Sequence, residues 1–180
     1  MELLKGRPID EDGRISEEIA TYDMLDSLNI EYFRVDHEAA KTMEACEKID
    51  EVLGVKMCKN LFLCNRQKTQ FYLLMLPGEK PFITKEFSKQ LEISRVSFAS
   101  AEFMQEFLKI NPGSVSVLGL MNDKDNRVQL VVDKAVFDCE FVGCHPCINT
   151  SSLKIKTEDL KTFLETVNHQ SIMVDLPCYE

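Results

Sequence analysis

The sequence predicts an α+β fold: a compact α/β domain with a mixed, largely antiparallel sheet and flanking helices. Three observations lead there. Stretches with helical and strand periodicity interleave along the chain, yet most neighbouring strand runs are joined by short turns, which disfavours a doubly wound parallel sheet. Residues 61–64 (LFLC), four apolar residues in succession, and 70–76 (QFYLLML), apolar from Phe71 on, read as buried strands, and the polar turn 65–70 joins them as an antiparallel hairpin. A length of 180 residues suits one domain with a sizeable core. The expected division is a leading arm at 1–13, a single domain at 14–175 and a tail at 176–180.

A first helix is expected from Ser16, which can cap it. Glu17 and Glu18 favour its positive end, and Ile19, Tyr22, Leu25 and Leu28 recur at helical spacing until Asn29. Residues 31–35 alternate like a strand and run into Asp36-His37-Glu38. A second helix starts at Thr42, turns Met43, Cys46, Ile49, Val52 and Leu53 inward, and stops at Gly54. After the hairpin, 84–91 and 100–108 read as short helices opened by hydroxyl caps, with 96–98 between them. Asn111-Pro112-Gly113 is a turn, and 114–121 (SVSVLGLM) then pairs with 127–133 (RVQLVVD) through a hairpin turn at 122–126. Residues 137–141 read as a strand, 157–167 as a capped amphipathic helix and 172–174 as a last strand.

Charge and composition narrow the function. A net charge of −9 disfavours broad nucleic-acid binding, which needs an excess of Lys and Arg, but permits a grip on the last nucleotides of an RNA. No stretch approaches the roughly 20 apolar residues of a membrane helix, and the start lacks a signal-peptide pattern, so the expected location is the cytoplasm and no membrane partner is expected. Seven cysteines without framework spacing read as free thiols; Cys46, Cys58, Cys64 and Cys139 are set mostly among apolar neighbours.

Three stretches could carry chemistry. Lys59 and Asn60 stand where an apolar strand begins, so an ammonium and an amide could orient a carbonyl, phosphate or ribose hydroxyl; the alternative is a solvated lysine at a strand end. Gly113, Ser114, Val115, Ser116 and Val117, closed by Gly119, allow close backbone approach to a carbonyl or phosphate, although neither P-loop nor dinucleotide spacing is present; the alternative is a loop leading into a strand. Cys144-His145-Pro146-Cys147 has C-x-x-C spacing, but no second ligand pair accompanies it, and His145 beside a proline can move a proton near neutral pH. His37 and Thr42 form a looser set, in which Thr42 is also explained as a helix cap.

Together, His37 with Thr42, Lys59-Asn60-Leu-Phe-Leu, Gly113-Ser-Val-Ser-Val-Leu-Gly-Leu and His145-Pro146 with Asn149-Thr150 and Leu153 resemble the YbaK/ProX-type aminoacyl-tRNA deacylases. The likeness to the free-standing ProX (PrdX) proteins, relatives of the prolyl-tRNA synthetase editing domain, runs from about Ser16 to Val174. It implies hydrolysis of mischarged tRNA, chiefly alanyl-tRNA(Pro), at the ribose of the terminal adenosine. It implies Lys59 as the central functional residue with Asn60 beside it, His145 lining the site, and the 113–117 loop together with His37 and Thr42 binding substrate. No metal or other cofactor and no cysteine nucleophile is implied, and the partners are the acceptor end of tRNA(Pro) and prolyl-tRNA synthetase. The family loop commonly reads G-x-x-x-P, whereas Val117 stands at its fifth place, which leaves an extra N–H. Two other classes remain open: a module that senses aminoacyl-tRNA or an amino acid without cleaving it, and a thiol redox protein using Cys144 and Cys147.

Overall fold

The computed structural model describes residues 1–179. Two sheets face each other across the main core. The first has four strands in the order β1 (Leu4–Lys5), β2 (Tyr32–Asp36), β8 (Ser151–Lys156), β7 (Phe141–Cys144), all antiparallel. The second has five, in the order β5 (Ser97–Phe98), β3 (Lys59–Cys64), β4 (Phe71–Leu76), β6 (Val128–Asp133), β9 (Ser171–Val174). In that sheet β3 pairs antiparallel with β4 and β5, whereas β4–β6 and β6–β9 are parallel. A bridge from Met57 to Gly143 and the bond from Cys58 N–H to the Gly143 carbonyl (3.0 Å) tie the sheets together beside the start of β3.

The unbroken apolar run of β4 follows from burial on both faces. Phe71, Leu73 and Met75 join the main core with Phe62 of β3, Tyr32 of β2 and Leu153 of β8. Tyr72, Leu74 and Leu76 face a second cluster with Leu63, Val131 and Phe87 of helix α3 (Thr84–Leu91). Helices α1 (Ser16–Ser27), α4 (Ala101–Leu108) and α6 (Thr157–Thr166) cover the main core, while α2 (Met43–Leu53) packs on β2 and β8.

Several expected details are corrected. The segment 114–121 is not a strand: a 3-10 helix spans Val117–Asn122, because Ser116 Oγ accepts the Leu118 N–H (3.2 Å) and Gly119 lies where a Cβ would come within 2.5 Å of Ile110 Cδ1. Consequently 122–126 closes no hairpin; Asp123 instead accepts the Arg127 and Val128 N–H groups, and β6 inserts parallel to β4. Residues 137–141 divide between the short helix α5 (Lys134–Phe137), capped by Asp133, and β7. Ser16, Thr84 and Thr157 are first helical residues rather than caps, whereas Thr42 and Ser100 do accept the amide bond. Met43 and Cys46 of α2 point to solvent, as does Cys139. The first thirteen residues carry β1 and are held by the buried Arg34, whose Nε donates to the Gly6 carbonyl (3.1 Å). At the other end Leu176 is buried, its N–H donating to Asp133 (2.9 Å).

Candidate functional site

The site forms where the open edge of β3 meets the 3-10 loop and the β7–β8 connection. β5 covers β3 only at Leu63 and Cys64, so the strand's first half keeps an uncovered edge. In the β3–β4 ladder, alternation from the Asn65–Gln70 closing pair leaves the Asn60 N–H and C=O pointing away from β4, toward that edge. A cavity of about 350 Å³ opens there. Its polar lining comes from Asn60, Gly113 and His145, and its apolar wall from Phe62, Ala99, Met104 and Val115, with Phe98 among the residues that border it.

The Asn60 side chain is a strut between elements. Its Oδ1 accepts the Val117 N–H (2.9 Å) and its Nδ2 donates to the Cys58 carbonyl (3.3 Å). The extra donor that Val117 supplies in place of proline is therefore spent inside the protein, locking loop to strand. Gly113, at φ +89°, takes a left-handed turn that a side chain would strain. The hydroxyl-bearing side chains of Ser114 and Ser116 are buried, so this loop's polar contacts with a ligand can come only from its backbone.

His145 is half-buried and lines the cavity. Its Nδ1 sits 2.8 Å from the Ser151 carbonyl. A carbonyl only accepts, so Nδ1 carries the proton and Nε2 keeps its lone pair. Burial holds the imidazole below its ordinary value, with His37 adding to the effect and the bond to Ser151 opposing it. The ring is thus neutral near pH 7 and can accept a proton.

The other expected residues are placed differently. Successive residues of a strand project to opposite faces, so the Lys59 and Asn60 side chains do not project side by side. Asn60 shares the main-core face with Phe62, and Lys59 shares the outer face with Leu61 and Leu63. The Lys59 ammonium donates to the Lys80 carbonyl (2.6 Å) and does not line the cavity. His37 lies behind His145, ring centroids 6.4 Å apart, with Nδ1 at the Glu38 carbonyl and Nε2 at Ser152 Oγ, both 2.8 Å. Thr42 is exposed and accepts the Ala45 N–H (3.2 Å), so its position is that of a cap.

The C-x-x-C pair is unsuited to redox work. Cys144 and Cys147 are buried free thiols, and burial pushes both up, Cys147 to about 12. Among the described residues no group of His, Cys, Asp and Glu clusters as a metal site would, and no helix is long and apolar enough to cross a membrane. Strand β8, with the Ser151 and Ser152 atoms that fix both histidines, was not anticipated, although S-S-L-K-I-K alternates as a half-buried strand should. The cavity wall of Ala99 and Met104 and the exposed Phe98 also lay outside the expected site; no local motif marks them.

Residues 37–163 match the family described as the aminoacyl-tRNA editing domain. The chain belongs to that family. Its enzyme class is accordingly that of the aminoacyl-tRNA deacylases. It is 32% identical over 141 residues to the prolyl-tRNA editing protein ProX of Acetoanaerobium sticklandii, covering 78% of this chain and 86% of that protein. It is 27% identical over 154 residues to the prolyl-tRNA synthetase associated domain-containing protein 1 of Danio rerio, covering 84% and 83%. Among solved structures, a candidate trans-editing enzyme for prolyl-tRNA synthetase superposes with a TM-score of 0.66 at 11% identity, over 91% of this chain and 99% of that one, which speaks to the fold.

Proposed function

We propose that this editing-family enzyme deacylates alanyl-tRNA(Pro), acting in the cytoplasm on tRNA that prolyl-tRNA synthetase has mischarged. The observation that carries the proposal is the convergence, in one small cavity, of His145, whose Nδ1 is spent on the Ser151 carbonyl, with the Asn60 strand edge and the loop at the left-handed Gly113. Ester hydrolysis needs these two elements: a base for the attacking water and donors for the oxyanion. His145 Nε2 accepts a proton from water, directly or through the neighbouring ribose hydroxyl. The water oxygen adds to the ester carbonyl, and the resulting oxyanion is held by backbone N–H groups of Val115 and Asn60, both of which line the cavity. The acyl C–O bond then breaks, the proton passes from His145 to the ribose oxygen, and free alanine and tRNA leave. Lys59, on the outer face at the same strand end, meets the phosphate or ribose of the terminal nucleotide rather than the reacting carbonyl.

Size selection supplies the specificity. A synthetase pocket shaped for proline rejects the smaller alanine by only about 1–3 kcal/mol per missing methylene. A second pocket walled by Phe62, Ala99, Met104 and Val115 admits alanine and excludes the proline ring. Single-turnover hydrolysis of alanyl-tRNA(Pro), with prolyl-tRNA(Pro) as control, tests this. Rapid loss of alanine with proline spared is expected; an intact alanyl ester, or equal loss of both, would overturn the proposed substrate.

A further inference from the structure

Phe98 is 65% exposed, and no other phenylalanine among the described residues is open to that degree. It borders the cavity, so this is not a stray surface residue. Its backbone is fixed by pairing with Leu63 and by the bond from Ala99 N–H to the Phe62 carbonyl (2.9 Å). Its ring is backed by Phe82, centroids 6.0 Å apart at 66°, and Phe82 rests in turn on the fully buried Phe87 at 5.8 Å and 71°. One ring edge is thus buttressed while much of the ring stays open. An exposed, braced aromatic at the mouth of a cavity is what base stacking requires.

The same segment carries a second feature. Beyond Phe82 lies a groove of about 610 Å³ bordered by Lys85, Lys89 and Arg95, with Thr84 and Ser88 between them and no carboxylate in its lining. All three cations are exposed. Ser88 is 8% exposed, and its Oγ is buried without a hydrogen-bond partner. In a chain of net charge −9, three cations lining one groove with an unpaired hydroxyl concentrate positive charge locally.

We infer that the segment from Phe82 to Phe98 is the RNA-binding face of the enzyme: Phe98 stacks the terminal base, and Lys85, Lys89 and Arg95 meet backbone phosphates further along the strand. The inference rests on the deacylase reading and adds to it the surface that receives the nucleic acid. It also offers an acidic protein a local grip on RNA, because this groove gathers three cations with no carboxylate in its lining.

The test compares alanyl-tRNA(Pro) with the alanyl ester of adenosine, which keeps the base and lacks the phosphates. Phe98→Ala should raise KM for both substrates roughly 10- to 100-fold with kcat little changed, and Phe98→Tyr should restore it. The combined Lys85→Gln, Lys89→Gln and Arg95→Gln variant should leave alanyl adenosine untouched and weaken tRNA binding. It should also flatten the dependence of log affinity on log salt by about 2, at roughly 0.7 per single-strand phosphate lost. Affinities for amide-linked, non-hydrolysable analogues of both substrates are measured in parallel. If the wild type hydrolyses neither ester, the deacylase reading fails while these affinities still test the binding face. Unchanged KM and affinity in Phe98→Ala would overturn the inference. An unchanged salt slope in the triple variant, or an equal loss with alanyl adenosine, would do the same.

Discussion

Two histidines, one half-buried and one buried, separate what the fold uses for chemistry from what it uses for stability. His145 commits Nδ1 to the Ser151 carbonyl and leaves Nε2 to the cavity. His169 leaves nothing over: Nδ1 faces the Val167 carbonyl (2.9 Å) and Nε2 faces Asp123 (2.9 Å), with both side chains only 2% exposed. Asp123 in turn holds the N–H groups of Arg127 and Val128, so His169 closes a knot between the start of β6 and the approach to β9. Burial alone would raise the Asp123 carboxyl, but His169 and the two amides outweigh it and hold it low. A histidine with one orphan nitrogen at a cavity can act on a substrate; one with both nitrogens spoken for holds elements together.

The largest consequences fall on opposite observables. His145→Ala should lower single-turnover deacylation about 10²- to 10⁴-fold, the usual range for a general base, with the unfolding midpoint nearly unchanged. His169→Ala should remove about 3–5 kcal/mol of stability, because it strands the buried Asp123 charge, while folded enzyme keeps its rate; denaturant unfolding checks the first and assays below the transition check the second. If both variants lose rate and stability alike, the distinction between them collapses.

Acid separates the two sites further. The His145 value lies below the ordinary 6.5, so the neutral base persists as pH falls through 6.5, and log kcat/KM should bend down only below that point. Stability follows the carboxylates. Asp36 is opposed by burial but drawn down to about 2 by Arg14 and Arg34, and Asp123 is likewise depressed. Groups depressed in the folded state stabilise above their unfolded values, near 3.8, and that stabilisation disappears as pH falls toward the folded values. Activity should therefore decline at a higher pH than the fold, which paired rate and circular-dichroism titrations would show.

Much of this was legible in the chain because burial writes itself into composition. The solid apolar runs of β3 and β4, the Thr42 cap and the glycine at 113 each follow from local chemistry. The segment 114–121 misled because alternating V-S-V-L-G-L fits a strand; only the tertiary approach of Ile110 to Gly119 selects a 3-10 helix. The parallel seating of β6 depends on partners far apart in sequence. At the site, His145 and the 113–117 loop could be picked out, but the opposed faces of Lys59 and Asn60 needed the strand to begin at Lys59 itself. Ser151, which sets the His145 tautomer, acts through its backbone carbonyl, and a carbonyl has no signature in the sequence.

Smaller effects sharpen the picture at the strand end. Lys59→Ala should raise KM for alanyl-tRNA(Pro) more than it lowers kcat, since its ammonium lies outside the cavity. Val117→Pro removes the N–H that holds Asn60 Oδ1, and should lose about 0.5–1.5 kcal/mol of stability, read as a lowered unfolding midpoint with deacylation slowed only a few-fold.

The most direct measurement is single-turnover deacylation of alanyl-tRNA(Pro) by wild type, His145→Ala and His169→Ala, all at a temperature where each is folded. A collapse of the rate in His145→Ala alone, with His169→Ala matching wild type, is the predicted result. A His145→Ala enzyme that cleaves alanyl-tRNA(Pro) at the wild-type rate would contradict the assignment of the base and move the chemistry elsewhere in the cavity.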